Sequence, residues 1–260
     1  MNANLSLLIP VAALLLVLES AAAQQSAATG DPRPATDTTG SPAELSKRSL
    51  DALEKGDQAA AIAAADTMVR KWPDDSRVIR TAGDIHLRAG KVDSATRLFN
   101  RFVKKRPEEL PYLWQRGISL YFTGDFEEAA EQFEVHRRVN PNDVENAAWH
   151  FLCIAKSHSV EKAKQLVLPA PGDPRAPMEE VLQMLSTGNR EAVIARVEAL
   201  PTGSERRKSA AFYGDFYLGL YADALGEKKQ AVKYLKRAAE DAPHNYMGDV
   251  ARVYAEFLQR

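Results

Sequence analysis

The chain has 260 residues and almost balanced charge, with 34 Lys and Arg against 35 Asp and Glu, a formal net charge of −1 at pH 7. Because it lacks a basic excess, we expect no nucleic acid among its partners. Its single cysteine, Cys153, excludes an internal disulfide and a zinc site built on paired cysteines. The neighbouring residues Phe151, Leu152 and Ile154 are apolar, so we predict a buried thiol.

Residues 1–23 have the pattern of a cleaved signal peptide. Leu5–Leu18 is almost wholly apolar, but it is shorter than the roughly 20 residues that a spanning helix needs. The small residues Ser20–Ala23 suit signal peptidase, although no Lys or Arg precedes the apolar run. We therefore predict an exported protein, periplasmic or extracellular, with no transmembrane helix in the mature chain. The alternative is an uncleaved anchor, which would also leave the rest of the chain outside the membrane.

Residues 24–41 are predicted to be a disordered linker, because they are rich in Gln, Ser, Thr, Pro, Gly and Ala and show no helical period. No cysteine directly follows Ala23, where a bacterial lipoprotein would need one for acylation. We therefore expect an exported chain that is not lipid-anchored, and a folded part that begins near Pro42.

Between residues 42 and 143 the sequence repeats every 34 residues. Each repeat has a glycine, then an alanine and a proline at constant spacing: Gly56, Ala61 and Pro73; Gly90, Ala95 and Pro107; Gly124, Ala129 and Pro141. This period predicts three helix–turn–helix units, over 42–75, 76–109 and 110–143. In the second unit we expect helices over Ser76–Ala89 and Asp93–Lys105. Gly90 should reverse the chain at positive φ, and Pro107 should end the second helix.

Small residues also indicate where the two helices of a unit touch. Gly83 and Gly117 occupy equivalent positions in the second and third units, and Ser49 occupies that position in the first. We predict a close approach of the paired helices there, with Phe99 and Phe102 filling space toward the neighbouring unit.

These positions resemble the tetratricopeptide repeat (TPR) family, and Tyr121–Phe133 follows its pattern closely. A fourth unit, 212–245, carries the same marks at Gly219, Gly226, Ala231, Leu235, Ala238 and Pro243. Four prolines interrupt the pattern in 144–211, which we expect to hold degenerate helical repeats, and 246–260 is expected to be a C-terminal capping helix. The resemblance implies an all-α protein, a TPR-type helix–turn–helix solenoid or superhelix.

Catalytic motifs are scarce. The sequence has no HExxH, no glycine-rich phosphate loop and no GxSxG. We expect His86 to lie in the core, and His150 and His158 could share a helix face only if one helix spans both. We therefore predict no metal, no cofactor, no catalytic residue and no enzymatic activity. An enzyme with a site in the degenerate segment 144–211 is the least favoured alternative.

In the family that this chain resembles, the first helix of each pair lines a concave groove. Carried over position by position, the resemblance implies a partner-binding groove of Arg77, Arg80, Asp84, Arg88, Trp114 and Tyr121. Arg, Trp and Tyr are enriched in binding hot spots, and arginines bind carboxylates in a forked geometry. The alternative for Trp114 is that it packs between units.

A narrower resemblance is to the periplasmic TPR adaptors called new lipoprotein I, carried by Pro141–Ala155 and by Phe216–Asn245. Members of that family act as adaptors for cell-wall hydrolases and proteases. The resemblance and the predicted export together imply an exported TPR adaptor or scaffold for protein–protein interactions in the cell envelope. Its partner would be a cell-envelope hydrolase, protease or secretion component. The alternative is a structural component of a secretion or outer-membrane assembly complex.

Overall fold

The structure is a computed structural model and describes residues 39–259. The predicted signal peptide, and the predicted linker up to residue 38, lie outside the described residues. Within 39–259 the chain forms thirteen α-helices, one 3-10 helix and no strand. The prediction of an all-α fold is therefore confirmed.

The helices follow the chain in pairs joined by short turns. They are α1 Pro42–Glu54, α2 Gln58–Lys71, α3 Ser76–Arg88, α4 Val92–Lys105, the 3-10 helix Pro107–Tyr112, α5 Trp114–Thr123, α6 Phe126–Arg137, α7 Val144–Ser157, α8 Val160–Gln165, α9 Met178–Thr187, α10 Arg190–Glu198, α11 Glu205–Ala224, α12 Lys228–Glu240 and α13 Tyr246–Phe257.

The turn glycines adopt the backbone conformation that the repeat pattern predicts. Gly56, Gly90 and Gly124 have φ angles of +73°, +74° and +87°, and Gly226 has +74°. A side chain with a β-carbon rarely adopts this left-handed conformation, so glycine is the residue that reverses the chain at least cost. The helices of the second unit end within one residue of their predicted bounds.

The predicted close approach inside each unit is also present. A β-carbon on Gly117 would lie 2.6 Å from Cζ of Phe133, and one on Gly83 would lie 2.8 Å from Cε1 of Phe99. These distances are too short for a β-carbon, so each phenylalanine ring occupies the space above a glycine. Phe99 therefore covers the first helix of its own unit and does not only face the neighbouring unit.

In the first unit the residue at the glycine position of the first helix is larger, and the residue at the phenylalanine position of the second helix is smaller. Ser49 occupies the glycine position, and Ala65 occupies the phenylalanine position; both are fully buried. Oγ of Ser49 donates a hydrogen bond to the carbonyl of Ala61 at 3.2 Å. A larger residue on the first helix is thus matched by a smaller one on the second.

The middle of the chain is helical but less regular. Residues 144–211 hold two packed pairs of helices, α7 with α8 and α9 with α10. Helix α11 begins at Glu205, well before the predicted start of the fourth unit at residue 212. It starts there because Ser204 caps it, its Oγ accepting a hydrogen bond from the backbone N–H of Arg207 at 3.2 Å.

A loop arginine joins two parts of this middle region. Arg175 donates hydrogen bonds from Nη2 to Asp143 at 3.2 Å and to Asp173 at 2.7 Å, and from Nη1 to Glu145. Its guanidinium carbon also lies 5.3 Å from the ring centre of Tyr213 on α11. One cation therefore ties together the loop before α9 and the first turn of α7.

The C-terminal helix α13 returns to the second repeat unit. Asn245 caps it, its Oδ1 accepting from the N–H of Gly248 at 2.9 Å, and the helix packs on both α12 and α3. Among residues 39–259 no helix is both long enough and apolar enough to cross a membrane.

Candidate partner-binding surface

Three of the six predicted groove residues meet the first turns of α13. The hydroxyl of Tyr246 donates to Asp84 at 3.2 Å, and the Tyr246 ring lies edge-on to Trp114 with 4.8 Å between ring centres. The guanidinium carbon of Arg88 lies 5.5 Å from the Tyr246 ring centre, and its Nε donates to Asp249 at 2.6 Å. These three side chains therefore hold a segment of their own chain.

The environment of Asp84 is unfavourable to its charge. Burial raises the pKa of this carboxyl to about 6, and the hydrogen bond from Tyr246 and the charges of Arg80 and Arg88 offset the effect only in part. The carboxylate is thus ionised at neutral pH at a cost in free energy of folding.

Tyr121 lies in the interior, 3% exposed. Its hydroxyl donates to Oδ2 of Asp223 at 2.6 Å and lies 2.8 Å from the hydroxyl of Tyr254, which also contacts that carboxylate oxygen at 2.6 Å. Lys156 completes the cluster by donating to Oδ1 of Asp223 at 2.8 Å. Burial, followed by the charge of Asp223, raises the pKa of Tyr121. Tyr121 is therefore not at the surface of this structure, and its role in binding stays a prediction.

The remaining predicted residues are accessible. Arg77 is exposed, and the side chain of Arg80 is 33% exposed. Nη2 of Arg80 lies 3.5 Å from the carbonyl of Tyr112, and its guanidinium carbon lies 5.6 Å from the Phe102 ring centre. The sequence pattern missed Tyr112, which is 55% exposed. We refer to Arg77, Arg80, Tyr112 and Trp114 as the arginine–aromatic surface.

The contacts of α13 were not visible in the sequence either. Tyr246, Asp249 and Tyr254 bond to side chains between 31 and 162 residues away along the chain. The aromatic and acidic residues of 246–257 were the available signal, but a repeat pattern does not say on which unit a capping helix folds back.

The histidines are dispersed. His86 and His150 are buried, with Nε2 at 3.2 Å from Asp66 and at 3.3 Å from Glu134, and burial lowers the pKa of both. The core position predicted for His86 is therefore confirmed. His158 is exposed, so it does not face the same environment as His150. In the described part of the chain no three His, Cys, Asp or Glu side chains could together hold a metal ion.

Cys153 is fully buried. Burial raises the pKa of its thiol well above the ordinary value, which disfavours the nucleophilic thiolate. The prediction of a buried thiol is confirmed.

Comparison with known proteins identifies the repeats. A family model described as "Tetratricopeptide repeat" matches residues 47–108 and 80–144, and a second model with the same description matches residues 213–245. These two models leave residues 145–212 unmatched. A crystal structure of a tetratricopeptide repeat protein from Parabacteroides merdae is similar at 17% identity and a TM-score of 0.45, covering 84% of this chain and 99% of that chain. By its matches to the two repeat models, the chain belongs to the tetratricopeptide repeat family.

Proposed function

We propose that this protein is an exported, non-enzymatic adaptor that binds protein partners in the cell envelope through its arginine–aromatic surface. Tetratricopeptide repeats imply protein partners, because stacked helical units present an extended surface. The observation that carries the proposal is the exposure of Tyr112, at the end of the 3-10 helix before α5, with its carbonyl beside Arg80 of α3. Tyrosine and arginine are residues on which binding energy concentrates.

The chemistry of this surface favours an acidic or carboxylate-bearing segment of the partner. The intramolecular ion pair of Arg80 is loose, with 3.5 Å between Nη1 and Oε2 of Glu109, and both side chains are about one-third exposed. Exposed pairs of this kind contribute little to stability, so Arg80 can exchange Glu109 for a carboxylate of a partner at small cost. Arg77, one turn earlier on α3, extends the positive strip.

The location of the partner follows from the N-terminal sequence. The apolar run Leu5–Leu18 and the small residues before Gln24 support export, and the resemblance to new lipoprotein I supports an envelope hydrolase, protease or secretion component as the partner. Under this proposal the mature chain begins near Gln24 and carries no lipid.

Intact-mass measurement of the exported protein tests the location. We expect the mass of a chain from Gln24 without acyl groups; a mass that retains residues 1–23, or an added diacyl mass, would contradict it.

Affinity purification from the native envelope tests the interaction. The tagged wild-type chain should enrich a protein partner that a Tyr112→Ala chain recovers poorly. An Arg206→Ala chain, changed at an exposed residue of α11, is the matched control and should recover the partner fully. Equal recovery by all three chains would exclude the arginine–aromatic surface as the binding site.

A further inference from the structure

A cavity of about 340 Å³ lies beside the contact between α13 and the third repeat unit. Its wall is mostly apolar and includes four aromatic side chains, Trp114, Phe133, Trp149 and Tyr246, from α5, α6, α7 and α13. The volume is near the lower end of the range for small-molecule sites, about 300–1,000 Å³. It therefore suits a single amino-acid residue and not a long peptide.

Two residues in the wall keep a buried polar atom without a hydrogen-bond partner. Asn146 is 4% exposed, and Trp149 is 1% exposed. The unpartnered atoms are Oδ1 of Asn146 and Nε1 of Trp149. Exchanging Oδ1 and Nδ2 of the Asn146 side chain would not supply the missing partner, because Nδ2 already donates a hydrogen bond to the carbonyl of Phe133 at 3.0 Å. Buried polar groups are nearly always satisfied, so an unpartnered acceptor and an unpartnered donor on two residues that line one cavity indicate a missing partner.

The two orphan atoms define the complementary chemistry. Oδ1 of Asn146 needs a donor, and the indole N–H of Trp149 needs an acceptor. A secondary amide supplies both from adjacent atoms, one N–H and one C=O. The aromatic wall adds favourable contact with an apolar group next to that amide.

The charges near the cavity disfavour an anion. Asp143 and Glu145 also line it, and with Asp173 they place three carboxylates around the single guanidinium of Arg175. Each carboxylate already accepts hydrogen bonds from protein groups. The carboxylates outnumber the one guanidinium, although burial raises the pKa of Asp143 and Glu145 and His136 also lines the cavity. The excess of negative charge disfavours a carboxylate ligand relative to an uncharged one.

We propose that this cavity is a subsite for one uncharged residue of a partner peptide. The main-chain amide of that residue pairs with Asn146 and Trp149, and its apolar side chain packs among the four rings. The inference rests on the proposed function, because it assumes a protein partner. The inference also extends the proposed function, because Trp114 belongs to both the arginine–aromatic surface and the cavity wall. One peptide can therefore place a carboxylate on Arg80 and an apolar residue in the cavity.

The test uses the indole N–H signals of the 15N-labelled full chain. The sequence has three tryptophans, and Trp72, which does not line the cavity, serves as an internal reference. The probe is N-acetyl-leucinamide, which carries amides and an apolar side chain without charge. N-acetyl-leucine, its carboxylate counterpart, is the matched control.

We expect N-acetyl-leucinamide to shift the Trp149 signal saturably and the carboxylate, which keeps the acetyl amide but adds a negative charge, to bind about three- to tenfold more weakly because the carboxylates beside the cavity repel it. No Trp149 shift up to the solubility limit, as expected if the cavity holds only water, would overturn the inference. Equal shifts by both probes would also overturn it. This comparison is made on the wild-type chain and does not depend on the folding of any variant.

Two variants then locate the contact. Asn146→Leu should weaken binding of N-acetyl-leucinamide about three- to tenfold. Gln115→Leu changes another buried amide whose Oε1 lacks a partner but which does not line the cavity, so it should leave the affinity unchanged. Equal affinity in the Asn146→Leu and wild-type chains, or equal weakening by both variants, would contradict the assignment.

Failure of this inference differs from failure of the proposed function. If a captured partner binds the Asn146→Leu chain fully and the Tyr112→Ala chain poorly, the adaptor function stands and the cavity is not its subsite. If neither substitution matters, the proposed surface fails as well.

Discussion

Two regions of this molecule hold their helices together by different means. In the second and third repeat units the contact within a pair is steric, since a phenylalanine ring fills the space left by the missing β-carbon of Gly83 or Gly117. In residues 144–211 the helices also bury apolar side chains, but the contact that distinguishes this region is polar, since Arg175 binds carboxylates on α7 and in its own loop. The steric contact recurs at the spacing of the repeat, whereas the contacts of Arg175 do not.

The difference explains which region is recognisable as a repeat. The steric contact joins residues within one helical pair, so the second and third units each carry a copy of the pattern. The polar contact joins Arg175 to Glu145, which is 30 residues away and lies outside its own helical pair, so it does not recur with the repeat. A region can therefore keep paired helices after losing the family pattern, since Val181, Met184 and Val193 are still fully buried.

The largest expected effect is on the steric contact. Gly117→Ala should destabilise the fold by about 2–3 kcal/mol, because the new β-carbon would overlap the Phe133 ring. Ser49→Ala, the same final residue at the equivalent position of the first unit, should cost only about 1 kcal/mol through its lost hydrogen bonds. Chemical denaturation measures both, and equal losses would show that close approach is not specific to the glycine units.

A double variant sharpens the same point. Gly117→Ser with Phe133→Ala reproduces the pair found in the first unit, Ser49 and Ala65. Its loss of stability should be smaller than the sum of the two single losses by about 0.5–3 kcal/mol, the usual range for contacting residues. Strict additivity in a double-mutant cycle would mean that the two residues do not pack against each other.

The stabilisation of the fold by Arg175 should depend on pH. Arg175→Met should destabilise by about 2 kcal/mol at pH 7, less than for a fully buried ion pair, because solvent reaches 37% of the Arg175 side chain. Burial raises the pKa of Asp143 and Glu145, whereas at Asp173 the effect of burial is outweighed by hydrogen bonds from Arg175, which lower the pKa. The difference from wild type should therefore shrink as the pH falls and Asp143 and Glu145 become protonated, while the Asp173 pair persists to lower pH. Urea denaturation at pH 7 and pH 4 measures it, with the exposed residue Arg206→Met as control. A loss that does not depend on pH would assign the effect to packing on Tyr213.

A smaller effect of opposite sign is expected where α13 meets the second unit. The folded protein raises the pKa of Asp84 from 3.8 to about 6. The neutral carboxyl therefore makes its full favourable contribution to the free energy of unfolding below pH 3.8. This contribution is lost as the pH rises through 6. Asp84→Asn, which stays neutral and can still accept from Tyr246, should be more stable than wild type by about 1 kcal/mol at pH 7.5. The two proteins should unfold at similar temperatures below pH 3.8, and destabilisation at pH 7.5 would show that the charge of Asp84 is needed.

Much of the fold was predictable because its signals are local. The turn at Gly90 and the bounds of α3 and α4 follow from propensity, capping and period alone. Helix α11 begins before the predicted fourth unit, because the family pattern marks the paired part of a helix and not its full length. Ser204, a favourable N-cap residue, was the overlooked signal.

The candidate surface was less predictable than the fold. Family positions give the face on which Asp84, Arg88 and Tyr121 lie, but they carry no information about Tyr246 and Tyr254, which contact that face from the end of the chain. Tyr112 was missed because it precedes α5 in a 3-10 helix that the family pattern lacks. Both omissions arise from contacts outside the repeated unit.

Titration of a partner recovered from the envelope tests the central claim most directly. Calorimetry should compare the wild-type chain with Arg80→Ala and Tyr112→Ala, after circular dichroism has shown equal helical content. We expect each variant to lose about 1 kcal/mol or more of binding free energy, the range that marks a hot spot, while Arg206→Ala binds as wild type. Full affinity in both surface variants would contradict the account and would place the partner elsewhere on the molecule.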